Sequence, residues 1–336
     1  MARSVRLFLI RHGETVDNVA QLYAGSRDSA LTNHGYQQAT RLGLHFKSLG
    51  LTFTHLFSSH LQRAVKTAGK IREAQLIPTS DDNTVKPVPD VMQLPVLMEQ
   101  DFGSMEGKKF FDRPKNKDTT DFVHVESKDT MARRADSFLD EHLVPLLVDA
   151  SKDADPVVAI VSHGIFLSTL WKRLLLRLPH NSVAFCPELQ ATARPSVEHL
   201  GGWSNTGYLE LHMTRVGHGD PSITADIPVV STSEPSSSPV EMPATDEGLD
   251  EVKVPQAATE YGPARQQVSE VPIRAAVVAS PAITPRIAIG WSCTILAING
   301  KDHLRSLKRT RGGVGSSRHD PSQTSIKVFF KRCKTV

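Results

Sequence analysis

The residues best suited to chemistry begin at Arg11-His12-Gly13-Glu14-Thr15, directly after the apolar run Leu7-Phe8-Leu9-Ile10. A short apolar run bounded in this way reads as a buried strand. In open α/β sheets, ligands bind beyond the carboxyl ends of the strands. His12 is therefore expected at the sheet's edge, with Gly13 leaving the backbone open to close approach by a ligand. Arg11 offers a planar fork of donors that suits phosphate oxygens, and Asn18 can donate an amide N–H to the same oxygens. Arg63 falls on the first turn of a predicted helix, in the run SSHLQRA, where its guanidinium and the helix N-terminus lie on one side. His163-Gly164 ends a second strand, IVSHG. Glu99 occupies the turn-rich stretch LMEQDFGSMEG, which can carry a carboxyl over the same crevice.

Each of these residues has an ordinary structural reading when taken alone. Arg63 would be a surface helix arginine, Glu99 a solvated carboxylate, and Glu14 an ion-pair partner that orients Arg11. Two strand-terminal histidines converging with two arginines at one crevice point instead to anion chemistry.

The elements that must position these side chains alternate along the chain. Residues 6–10, 54–57, 156–161 and 207–214 read as strands. Thr32 caps a predicted helix reaching about residue 49, with Leu42 and Phe46 on one face. Residues 59–74 form a second predicted helix and residues 165–178 a third, its face lined by Leu167, Leu170, Leu174 and Leu178. Such alternation predicts an α/β fold with helices on both faces of the sheet. Residues 286–298 are apolar and β-prone, and are expected to pair with 207–214. Asp302-His303-Leu304 then opens a short helix.

Composition bounds the remaining possibilities. With 39% hydrophobic and 22% charged residues, the 336-residue chain fits an ordinary globular protein. Its three cysteines are far apart and in no CxxC arrangement, which argues against a disulfide scaffold, a zinc ribbon or a redox pair. No apolar run approaches a membrane span or a secretory signal, so the expectation is a cytoplasmic protein, with the nucleus also compatible. Residues 217–285 hold ten of the 21 prolines and ten acidic residues against three basic ones. Such a segment buries too little apolar surface to offset its ordering entropy and is expected to be a disordered insertion. Residues 301–336 carry ten Lys or Arg against two Asp, so a net charge of +8 there leaves −5 for the rest. The expected organisation is one domain over 1–309, interrupted by 217–285, and a basic flexible tail over 310–336.

Four motifs occur in order: Arg11-His12-Gly13-Glu14, then LTNHGYQQA over 31–39, SSHLQRAVKTA over 58–68, and Ser162-His163-Gly164. As an ordered set they resemble the histidine phosphatase superfamily, also called phosphoglycerate mutase-like, over roughly half the chain. The resemblance implies a three-layer α/β/α sandwich with a mostly parallel central sheet, and a phosphohistidine mechanism; with positive side chains to do the electrostatic work and no HxH arrangement, no metal and no cofactor are expected. It makes His12 the nucleophile, places Arg11, Asn18, Arg63 and His163 around the phosphate, and makes Glu99 the proton donor. Asp17 departs from the tryptophan that mutases carry there. The run DFGSMEG over 101–107 is similar to the phosphatase branch. So is Glu126-Ser127-Lys128-Asp129 with Arg133 and Phe138-Leu139, although Val125 replaces the usual glycine. Asp302-His303-Leu304 after a strand is similar to the fructose-2,6-bisphosphatase-like glycolysis and apoptosis regulators of animals.

The implied activity is hydrolysis of a phosphate monoester, with sugar phosphates and bisphosphates as the substrate classes. A phosphate dianion repels nucleophiles, so two guanidiniums and a protonated His163 are expected to neutralise it while His12 stays neutral. Glu99 is expected to be protonated with substrate bound, to protonate the leaving alkoxide and then to take a proton from water. Should Glu99 not serve, Glu106 on the same segment and then Glu14 are the next carboxylates. The alternatives are a mutase, which returns the phosphoryl group to bound substrate, and a catalytically weak interaction protein displaying the insertion and the tail. The expected partner is a small phosphorylated molecule, with no membrane and no nucleic acid; the basic tail leaves nucleic acid a minor opening.

Overall fold

Alternation along the first strand, β1 (Ser4–Arg11), sets the layers. Val5, Leu7 and Leu9 point to one face and Phe8 and Ile10 to the other, and all five are fully buried. A strand buried on both sides belongs at the centre of an α/β sheet. The computed structural model describes residues 3–78, 87–112, 122–148, 155–192, 196–215, 290–310 and 313–322.

After β1 come α1 (Val16–Ala20), α2 (Asn33–Ser48), β2 (His55–Ser59), α3 (Gln62–Leu76) and β3 (Val91–Leu94). They are followed by α4 (Lys128–Phe138), α5 (Val144–Val148), β4 (Val157–Ser162), α6 (Gly164–Leu175), β5 (Val183–Phe185), α7 (Pro187–Thr192), β6 (Tyr208–Arg215) and β7 (Trp291–Gly300). The strands form one sheet in the order β3-β2-β4-β1-β6-β7-β5. Within it β6 alone runs antiparallel to its neighbours. Phe8 and Ile10 pack with Leu42 and Phe46 of α2 and Ala64, Ala68 and Ile71 of α3. On the opposite face Val5, Leu7 and Leu9 join Phe138, Leu143, Phe166, Leu170 and Leu174. These two cores make the expected α/β/α sandwich.

Several boundaries differ from expectation for local reasons. Ser58 and Ser59 belong to β2, so α3 begins at Gln62 rather than near residue 59. The third helix ends at Leu175 instead of 178. Pro179 follows and disfavours helical geometry at the residue before it, and the amides of Arg177 and Leu178 turn back to the carbonyls of Leu174 and Leu175. Strands β3 and β5, four and three residues long, are too short and too exposed to show alternation.

The tail needs correction. Residues 313–322, read as the start of a flexible tail, lie along the N-terminus of α2. The amide of Asn33 donates to Ser317 O at 3.0 Å and that of His319 to Leu31 O at 2.9 Å. The His319 ring stacks on Tyr36 at 3.7 Å. Stacking and backbone pairing of this kind hold a segment that composition alone reads as solvated charge. The proposed insertion and the chain beyond residue 322 lie outside the described residues.

Candidate active site

Parallel pairing of β1 with β4 places Arg11 opposite Ser162, so the next residues, His12 and His163, emerge side by side. The His12 amide donates to Ser162 O at 3.0 Å, and the two imidazoles meet edge to face at 5.0 Å between centroids. Both rings are buried.

His12 Nδ1 lies 2.7 Å from Gly13 O. A carbonyl only accepts, so Nδ1 carries the proton and Nε2 keeps a free lone pair. Burial first, then the charges of Arg63 and Arg11, push the His12 pKa well below 6.5, against the opposing bond to Gly13. His12 is therefore the neutral tautomer that a nucleophile requires.

His163 is held in the complementary state. Arg63 Nε donates to His163 Nδ1 at 3.1 Å. Because a guanidinium cannot accept, Nδ1 is bare and the remaining proton sits on Nε2, which has no partner among the described residues. Burial, Arg63, His12, Arg11 and His60, in that order, hold the His163 pKa well below 6.5. The expected cationic His163 is thus corrected: the side chain is a neutral donor, because its other nitrogen is spent on Arg63.

The arginines divide their work. Arg63, buried on the first turn of α3, donates Nη1 to Arg27 O at 2.7 Å and Nη2 to Ala24 O and Gly25 O at 3.1 and 2.8 Å. It clamps the 24–27 loop as well as His163. Burial lowers its pKa to about 10, with Glu99 the leading opposing charge. Arg11 donates Nη1 to Trp203 O at 2.6 Å, while its buried Nε is unpartnered among the described residues. Burial lowers its pKa too, and Glu99 again opposes. Glu99 is thereby placed electrostatically beside both guanidiniums.

Asn18 forms a capping box with Thr15, its Oδ1 accepting from the Thr15 amide at 3.2 Å. The same oxygen accepts from Asn205 Nδ2 at 3.2 Å, and Asn205 also donates to His12 O at 3.2 Å. With its oxygen so engaged, Asn18 is left with its amide N–H groups for a ligand.

Glu99 is anchored on the first turn of α6. Its Oε1 accepts from the amides of Gln100 and Phe166 at 3.0 and 2.9 Å, and its Oε2 from that of Ile165 at 3.2 Å. Arg134 supports the segment from behind, donating to the carbonyls of Val96, Met98 and Glu99 and pairing through two nitrogens with Glu126. Sequence reading picked Arg133 for this helix; Arg133 faces Thr130 instead. Arg134→Met strands the largely buried Glu126 carboxylate. It is expected to lower stability in urea unfolding by about 3 kcal/mol, and an unchanged midpoint would mean the pair is screened by water.

The other two carboxylates are committed to structure. Glu106 accepts from the amides of Gly25, Ser26, Arg27 and Phe102, which ties the 25–27 loop to the segment that carries Glu99. Glu14 pairs with Arg309 and accepts from Thr32 Oγ1 at 2.8 Å, so its ion pair is with Arg309 and not with Arg11. Gly13 also serves packing: a Cβ there would sit 2.6 Å from Gly35 O. Among the described residues no group of three or more His, Cys, Asp or Glu is arranged to hold a metal ion, and no helix is long and apolar enough to cross a membrane.

The family model for the histidine phosphatase superfamily, branch 1, matches residues 7–185. A probable phosphatase of Schizosaccharomyces pombe is 31% identical over 192 residues, covering 53% of this chain and 62% of the relative, so the chain spans less than two thirds of that protein. A probable phosphoglycerate mutase of Erwinia tasmaniensis is 32% identical over 181 residues, covering 53% of this chain and 78% of the relative. Among solved structures, a mycobacterial glucosyl-3-phosphoglycerate phosphatase aligns at 25% identity with a TM-score of 0.43, over 62% of this chain and 91% of the other.

Proposed function

Because the chain belongs to branch 1 of the histidine phosphatase superfamily, we propose that it is a phosphomonoesterase that works through a phosphohistidine at His12. The observation that carries this reading is the pairing of opposite tautomers. His12 is left with a bare Nε2 and His163 with a protonated Nε2, and the charges of Arg11 and Arg63 act on both rings.

Two guanidinium charges match a phosphate dianion, so a neutral His163 suffices as a donor to an equatorial oxygen. In the first step His12 Nε2 bonds to phosphorus, the ester P–O bond breaks, and Glu99 gives its proton to the departing alkoxide. In the second step Glu99 takes a proton from water, the water oxygen bonds to phosphorus, the P–N bond breaks, and inorganic phosphate leaves. Arg11, Asn18, Arg63 and His163 hold the phosphoryl oxygens in both steps.

Sugar phosphates and bisphosphates are the substrate classes we propose. The test is a screen of such esters for inorganic phosphate release, with intact-protein mass measured in the burst for one added phosphoryl group at His12. Release without a phosphoprotein would defeat the reading. A mutase is the second reading, supported by the relative of that name. It predicts label passing to an added phosphoglycerate faster than to water. Since the charge balance is met by side chains, turnover is expected to survive EDTA; loss that magnesium or zinc restores would show the balance to be wrong. We place the protein in the cytoplasm.

A further inference from the structure

The carbonyls of Arg11 and His12 rest on one unusual residue. Thr206 is fully buried, and its amide donates to Arg11 O at 3.0 Å and to His12 O at 3.2 Å. Its φ of 57° is in the left-handed region. A β-branched side chain seldom adopts that conformation and does so only where its surroundings enforce it. The preceding residue is Asn205, which links His12 O to Asn18. One strained turn therefore sets both the backbone of the phosphoryl acceptor and the direction of a phosphate ligand.

Two side chains hold that turn, one from the last residues of β7 and one from just beyond it. Asn299 accepts from the Ser204 amide at 2.9 Å and donates to Ser204 Oγ at 3.0 Å. His303 Nε2 lies 2.9 Å from Thr206 Oγ1, while that hydroxyl donates to Asn205 O at 2.7 Å. A hydroxyl has one hydrogen and the carbonyl only accepts, so His303 is the donor to Thr206. His303 Nδ1 is buried and has no partner among the described residues. Holding a lone imidazole dry for one hydrogen bond costs more than the bond returns to stability, which suggests that its use lies in what Thr206 positions.

We propose that His303 is a positioning residue for phosphoryl transfer: acting through Thr206, it fixes the 204–207 turn that aims His12 and Asn18 at the phosphate. This rests on His12 being the acceptor. Burial, and next His45, keep the imidazole neutral, with a pKa of about 4, so it is a steady donor at physiological pH.

The test compares His303→Ala, His303→Gln, Thr206→Val and the double variant His303→Ala/Thr206→Val in single-turnover burst experiments with p-nitrophenyl phosphate, alongside melting temperatures and inhibition by vanadate. His303→Ala and Thr206→Val are each expected to slow phosphohistidine formation by about 10²-fold, the scale of a displacement near 1 Å, and to weaken vanadate. His303→Gln can still present a donor amide and is expected to recover most of the rate. The double variant should be no slower than the slower single one, as for residues acting in series. A merely structural role predicts melting temperatures that fall while the burst rate of folded protein holds. Either that result or an additive double variant would overturn the proposal. If His303→Ala does not fold, His303→Gln and Thr206→Val carry the comparison. Label absent from His12 in the unaltered protein would remove the phosphohistidine reading and this inference together, whereas label at His12 with full burst rates in the variants would remove this inference alone.

Discussion

His12→Ala is expected to abolish covalent labelling and to lower turnover by about 10⁴–10⁶-fold, the range seen when a catalytic nucleophile is removed. The reason lies in how completely the ring is prepared. Gly13 O takes its Nδ1 proton, and burial with two adjacent guanidiniums keeps Nε2 bare. Two hydroxyls beside it among the described residues are already engaged: Thr67 Oγ1 donates to Arg63 O and Ser162 Oγ to Leu97 O, each at 2.7 Å. Trapped label should be acid-labile and base-stable, and label on a serine would refute the mechanism. The same burial has a thermodynamic consequence. His12 and His163 have folded-state pKa values well below 6.5, so below that pH the unfolded chain binds protons that the folded chain does not. Stability is therefore full above pH 6.5 and declines as pH falls beneath it. His12→Ala deletes one such site, so its melting temperature is expected to fall less steeply with acid than that of the unaltered protein. An identical slope would mean that folding leaves the His12 pKa unshifted.

His12, Arg11, Arg63 and His163 are legible in the sequence because each follows or opens an element whose apolar pattern is strong. The VRLFLI and VVAIV runs admit one reading, and parallel pairing then brings the residues after them together. What is not legible depends on backbone partners. Arg134 looks like its neighbour Arg133, and its role emerges only when three carbonyls of the 96–99 segment face it. Asn205 reaches His12 across 193 positions, a separation at which no local pattern connects them. The protonation of His163 depends on whether Arg63 approaches Nδ1 or a ligand. Residue types permit both, and the clamp of Arg63 on residues 24–27 decides it. Tail residues 313–322 fail for another reason: charge and glycine content describe a solvated segment well, and one stacked histidine with a few backbone bonds outweighs them.

Glu99→Gln is expected to act selectively. Hydrolysis of a sugar phosphate, whose alkoxide leaves poorly, should fall by ~10²–10⁴-fold, the size of a general-acid contribution. Formation of phosphohistidine from p-nitrophenyl phosphate should fall far less, because a phenolate of low pKa leaves almost unaided. The hydrogen bonds around Glu99 sharpen this comparison. Both oxygens accept amides at the start of α6, and a glutamine keeps one acceptor while turning its NH₂ toward an N–H donor. That mismatch costs about 1–3 kcal/mol of stability and disturbs the helix that follows His163. Such a disturbance is blind to the leaving group, so it lowers the burst rate with both esters by one common factor. Proton donation adds a further loss only for the poor leaving group, and the ratio of the two burst rates therefore isolates it from the structural effect. Steady-state rates mix in dephosphorylation, where the same carboxylate takes a proton from water, so the burst is the quantity to measure. Equal losses for both esters would leave Glu99 as the cap of α6 and nothing more. Glu106→Gln would then be the next variant to compare, since Glu106 lies on the same segment. A proton drawn from solvent instead would make the rate with sugar phosphates rise as pH falls, tracking the substrate monoanion.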